Sequence, residues 1–306
     1  MKWFVEKKRV MALVFFCCIL WGSAFPILKL SYADLKLSPS DFEVKILFAG
    51  IRFFIASMIL FAFSKMILKL KLGINKDEFF TLLILGLFNT TLLYFFFYNG
   101  LANTSGIKAS ILQSLNTFIV VVLSHFIYRD DHINKGKILG IIFGFLGIII
   151  VNIEQGFGGV TFTFYGEGFM ILSGLASATG TLLAKRAGRN IHPFKVTAWQ
   201  MFLGSVLLLG YSLVNKPEST LNFTFFSGAL LIYLSLLSAT AFGLWFMLLK
   251  YNKAGEISIY RFVIPIAGSI LTALIVPGET FTLNIILGLL SVSVGIYFVN
   301  KLPGKA

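Results

Sequence analysis

The sequence predicts an all-α polytopic membrane protein with ten transmembrane helices in two inverted five-helix repeats. Three observations carry this. Of its 306 residues, 57% are hydrophobic, with a mean hydropathy of +0.88, more apolar surface than a water-soluble fold can bury. Apolar stretches near the ~20 residues needed to cross hydrocarbon follow one another with only short gaps. The second half also repeats the pattern of the first at a constant offset of 148 residues.

The expected spans are 10–30, 44–64, 79–99, 106–127, 135–152, 165–184, 195–214, 226–249, 256–275 and 283–300. The first follows the basic MKWFVEKKRV and contains Trp-Gly and a proline. It lacks a small-residue cleavage site, so it reads as a retained helix rather than a signal peptide. In the third span, Thr90, Tyr94 and Tyr98 recur at four-residue spacing and fall on one helix face. In the fourth, Lys108, Gln113 and Asn116 interrupt an otherwise apolar run. The fifth and tenth, KILGIIFGFLGIIIVN and NIILGLLSVSVGIYFVN, are short and glycine-rich. Gly140, Gly144, Gly147 and Gly288 there permit close helix packing or a dimer surface.

The formal charge is +13, but its placement argues against nucleic acid. The basic residues cluster in gaps: Lys2, Lys7, Lys8 and Arg9 before span one; Lys65, Lys69, Lys71 and Lys76 after span two; Arg129, Lys135 and Lys137 after span four. The series continues with Lys185, Arg186, Arg189 and Lys195 after span six, Lys250 and Lys253 after span eight, and Lys301 and Lys305 at the end. With ten spans every cluster falls on one side, whereas the opposite gaps hold Lys36, Lys45 and Lys216. This asymmetry predicts cytoplasmic N- and C-termini.

The 148-residue offset pairs Gly140 with Gly288, Gly147 with Gly295, Asn152 with Asn300 and Asp131 with Glu279. It also aligns GIRFFIASMIL with AWQMFLGSVLL, so Arg52 meets Gln200. Five spans per half make the second half enter from the opposite side. Residues 1–153 and 154–306 are therefore the expected repeats, an arrangement used for alternating access.

ILWGSAFPILK, AGIRFFIASMILF, the run from YNGLANTSGIKAS to GFLGIIIVN, and its counterpart KYNKAGEISIYRFVIPIAGSI through SVGIYFVN together span nearly the whole chain. In that ordered set the sequence resembles the EamA-like ten-helix permeases of the drug/metabolite transporter superfamily. The resemblance implies a secondary transporter of small metabolites, amino-acid-like or amphipathic, more often an exporter, in the bacterial inner (plasma) membrane. It also implies a central path lined by spans one, three, four, six, eight and nine. The chain departs from the family in carrying YRDD after span four and no tryptophan near Ala176–Ala178 in span six.

The candidate path residues are Trp21, Asn89, Tyr94, Tyr98, Gln113, Asn116, Trp245, Tyr260, Arg261 and Pro265. Gln113 and Asn116, three apart on one face, either bond between helices or line the path. Arg261, a turn into span nine, either snorkels to phosphate, faces a carboxylate substrate or closes a gate. Pro265 removes a backbone donor and bends its helix. Lys29, Arg52, Lys108 and Arg261 are gate candidates, Arg52 with an external carboxylate as one partner.

No nucleotide-binding loop, cofactor motif or metal-ligand spacing is present, and Cys17-Cys18 lie side by side in an apolar run. His125, His132 and His192 are scattered, which disfavours the alternative of a membrane-embedded enzyme. A structural or sensory membrane protein is the other alternative. The expected partners are a small-molecule substrate and membrane lipids, with oligomeric state open between monomer and homodimer.

Overall fold

The computed structural model describes residues 2–38, 40–103, 106–152, 162–215, 221–276 and 282–302, and among them the fold is entirely helical. A short 3-10 turn, Lys2–Phe4, precedes α1 (Lys7–Asp34), α2 (Phe42–Met66), α3 (Lys76–Leu101), α4 (Gly106–Ile127) and α5 (Lys135–Asn152). The chain continues through α6 (Phe164–Asn190), α7 (Pro193–Asn215), α8 (Phe225–Tyr251), α9 (Ala254–Ile275) and α10 (Leu283–Lys301).

Among the described residues, 8 of these helices, all but α4 and α5, are long and apolar enough to cross a membrane. The fold is that of an all-α polytopic membrane protein. Helix is the form expected, because hydrocarbon offers backbone N–H and C=O groups no partner and each segment must satisfy its own.

Polar residues set the ends. Asn75 accepts from the Glu78 N–H while Glu78 accepts from the Asn75 N–H, a capping box that starts α3. Thr224 and Ser227 do the same for α8. Lys36 and Lys69 take the left-handed conformation after α1 and α2, φ 53° and 52°, positions more often given to glycine.

Three helices depart from α geometry, and α6 opens with a π turn at Phe164–Gly168. α3 contains a π turn at Leu87–Leu92. α9 tightens to a 3-10 turn at Tyr260–Phe262. Pro265 has no N–H to give the Arg261 carbonyl, and the Val263 N–H turns back to Tyr260 and Arg261 instead.

The most extensive helix contacts are α5 on α10, α2 on α7 and α3 on α6, followed by α1 on α9, α3 on α7, α1 on α8 and α4 on α6. Glycines set the closest approaches. A Cβ on Gly147 would stand 2.7 Å from the Gly288 carbonyl oxygen, and one on Gly295 3.0 Å from that of Gly140. Gly140 also faces Val299 and Ile259, and Gly144 lies directly against the Phe262 ring.

Candidate functional site

Arg261 is the deep charge around which the site is built. Its carbon Cζ lies 5.4 Å from the Trp21 ring centroid and 5.6 Å from that of Trp245, and the two indoles meet edge to face at 5.1 Å. Nη1 donates to Asn116 Oδ1 at 3.4 Å, a long bond. Asn116 Nδ2 donates to the Ser177 hydroxyl, which turns the amide oxygen towards Arg261. Trp245 and Asn116 are buried, whereas Arg261 and Trp21 are half-buried as whole residues.

Trp21 and Asn116 stand near the midpoints of α1 and α4. Trp245 and Arg261 lie about two turns from one end of α8 and α9, so the site sits inside the bundle, where an arginine costs up to about 3 kcal/mol to insert and each desolvated cation–π contact returns about 2 kcal/mol. The indoles offset insertion without neutralising the charge.

An aromatic wall extends from this box. Trp21 contacts Phe242 at 5.1 Å, Phe242 contacts Phe53 at 6.5 Å, Phe53 contacts Tyr94 at 4.5 Å and Tyr94 contacts Tyr98 at 6.1 Å. Arg52 stands beside Phe53, its Cζ 5.1 Å from that ring. Its Nε donates to Ser238 Oγ at 2.9 Å and to the Leu234 carbonyl at 3.3 Å, both on α8. Among the described residues Arg52 is held by a hydroxyl and a helix carbonyl, within reach because α2 packs on α8.

Other expected residues fall elsewhere. Asn89 is wedged against Gly180 of α6. Thr90 donates to Gln200 Oε1 of α7 at 2.8 Å. Tyr260 turns its hydroxyl to Asn300 Nδ2, 2.6 Å away, and its ring to Phe15. Trp199 donates to the Leu72 carbonyl at 2.9 Å. Lys29 is exposed on α1. Lys108 and Gln113 lie on α4, and their side chains are outside the described residues.

Sequence reasoning missed a polar cluster at one end of the bundle. Asp131 and Lys137 form a buried ion pair at 2.5 Å. Lys137 Nζ also donates to the Asp131 and His132 carbonyls, and Asp131 accepts from the Gly255 N–H at the start of α9, 2.8 Å. Lys185 donates to the Leu249 and Asn252 carbonyls at the end of α8. Tyr128 donates to the Leu182 carbonyl at 3.0 Å and lies under Lys185 and Arg189; burial pushes its phenol up to about 12. The pairing of Asp131 with Glu279 in the repeat was the one available signal. His125 and His132 also come together, Nδ1 to Nδ1 3.2 Å, though no group of three metal-ligating side chains occurs among the described residues.

An apolar groove of about 270 Å³ between α1 and α8, lined by Phe16, Leu20, Tyr233 and Leu236, faces outward and is separate from the arginine box.

Apolar helices that satisfy their own backbone, with a cation inside the bundle reached from both halves of the chain, define a polytopic membrane protein. The chain belongs to the EamA-like transporter family, whose model matches residues 8–153 and 164–301. It is 30% identical to the uncharacterized transporter YvbV of Bacillus subtilis, over 97% of this chain and 93% of that one. It is also 30% identical to an uncharacterized transporter of Archaeoglobus fulgidus, over 92% and 95%. A WAT1-related chloroplastic protein of Arabidopsis thaliana is 26% identical over 76% of this chain and 57% of its own length. One crystal structure shares the fold with a TM-score of 0.78, at 14% identity, over 97% of this chain and 98% of the other. The protein is a secondary membrane transporter of small molecules, not an enzyme.

Proposed function

We propose that this transporter carries a small polar or amphipathic organic solute, of amino-acid-like size, by alternating access, with the Arg261 box as its transport site. The observation that carries the reading is a guanidinium inside the bundle, between two indoles, with residues of both chain halves around it.

The halves are 1–153 and 154–306, ten spans in inverted repeats. Support comes from the helix contacts, which keep their pattern when the halves are exchanged. α5 on α10 and α2 on α7 map onto themselves. α1 on α9 has its counterpart in α6 on α4, and α1 on α8 in α6 on α3. The basic clusters in the gaps support cytoplasmic termini.

The test is counterflow in proteoliposomes across labelled amino acids, 2-oxo acids, amines and nucleosides. Accumulation of at least one class above protein-free vesicles is expected, with its loss in Arg261→Ala. No counterflow of any class would sink the reading. For orientation, reporters fused to each terminus should be active only in the form that works in the cytoplasm.

A further inference from the structure

The charges inside the bundle have one sign. Among the described residues every aspartate and glutamate lies in a gap or in the first or last turn of a helix: Asp34, Asp41, Glu43, Asp77, Glu78, Asp130, Asp131, Glu167 and Glu256, with Glu6 ahead of α1. The described basic groups well inside the helices include Arg52 and Arg261. Arg52 has a hydroxyl and a carbonyl on Nε. Arg261 has one long bond to a neutral amide, and indole rings accept no hydrogen bond along the edges of a guanidinium. A guanidinium presents five N–H donors in a planar fork that matches a carboxylate through two parallel bonds. Most of that fork is unused.

The same surroundings give an ammonium group no counter-charge among the described residues. Asn116 Oδ1 already faces Arg261, and the Ser177 hydroxyl receives the Asn116 amide. The Cys18 thiol donates to the Tyr260 carbonyl, 3.4 Å. The two indoles are already engaged by Arg261, and among the described residues no carboxylate pairs with it. A zwitterion brought here would place its ammonium beside a guanidinium with no carboxylate to offset it, and like charges in a low-dielectric site repel strongly. The wall of Phe242, Phe53 and Tyr94 suits an apolar body.

We infer that the transport site takes an organic carboxylate monoanion with an apolar body and no ammonium group, a 2-oxo acid or aryl carboxylate in preference to an amino acid or an amine. This rests on the reading of the Arg261 box as the transport site. Arg261 forks the carboxylate, the aromatic wall holds the body, and each solute moved carries one negative charge.

Matched solutes test this: phenylpyruvate, phenylalanine and phenethylamine share one body, as do 4-methyl-2-oxopentanoate, leucine and isoamylamine. Labelled counterflow is measured for all six in proteoliposomes. At least one 2-oxo acid should exceed its amino acid and amine by at least about tenfold, the worth of a lost charge-assisted pair. Counterflow exchanges one anion for another and moves no net charge, so a valinomycin-set potassium potential is applied to vesicles without internal solute, where an inside-positive potential should speed net uptake.

Arg261→Lys keeps the charge but loses the fork and should retain partial flux. Asn116→Asp, nearly the same shape, supplies Arg261 with an internal carboxylate and should abolish anion flux while the melting temperature holds. Amino acid or amine flux equal to or above the 2-oxo acid overturns the inference and leaves the transporter reading standing. Unchanged anion flux in Asn116→Asp overturns it too. No flux of any of the six, in a preparation that does carry another solute class, also overturns it.

Discussion

At the scale of single residues, the Asp131–Lys137 pair is the most exacting arrangement. The side chains are 0% and 1% exposed, so neither charge has water to fall back on. Removing one partner of such a pair typically costs about 3–5 kcal/mol, while replacing both by neutral groups costs far less. Asp131→Asn and Lys137→Met should each lower the melting temperature in detergent, and the double variant should recover most of the loss. Additive losses would mean that the two are not coupled.

His192, between α6 and α7, carries a second consequence. Burial and the nearby Lys250 hold its imidazole below the usual histidine range, and Nδ1 has no partner. The folded state thus disfavours the proton that the unfolded chain accepts. Stability is unaffected at high pH, falls as pH drops through the ordinary histidine value near about 6.5, and levels off below the folded one. Melting curves against pH should show a shallower acid-side decline in His192→Gln.

At the scale of elements, α9 is a composite helix whose irregular turn sets the position of Arg261. Pro265 frees a carbonyl on one side and Gly144 of α5 admits the Phe262 ring on the other. Gly144→Ala should push that turn aside and reduce transport several-fold, consistent with overpacking costs of about 1–3 kcal/mol. Gly210→Ala meets nothing within 4 Å and should leave transport intact with equal or higher stability. Flux and melting temperature measured on the same preparations separate the two.

Helices of this kind are legible because hydropathy and charge asymmetry report burial in lipid, and Arg261 is legible as a charge where charge is expensive. What encloses it is not, because Trp21, Trp245 and Asn116 come from α1, α8 and α4 and meet only on folding. The π turn in α3 was hidden because a helical period of 3.6 assumes regular turns. The Asp131–Lys137 pair was hidden for another reason: six residues separate them across a helix start, a spacing with no fixed geometry.

At the scale of the whole molecule, the glycine contacts between α5 and α10 are reciprocal. Gly147 approaches the Gly288 carbonyl and Gly295 approaches that of Gly140, and exchange of the halves converts one contact into the other. Alanine at Gly147 or at Gly295 should therefore lower the melting temperature by similar amounts. A large difference between the two would argue that this seam is shaped by its local neighbours instead of by the repeat.

Cys18 gives the molecule a built-in chemical clock. Its thiol is 0% exposed and bound to the carbonyl of Tyr260, the residue before Arg261, while Cys17 beside it is equally shielded. A maleimide cannot reach either sulfur in this conformation. Covalent labelling of the unmodified chain would thus proceed only when the packing of α1 on α9 loosens, and its rate would time that event without an introduced probe.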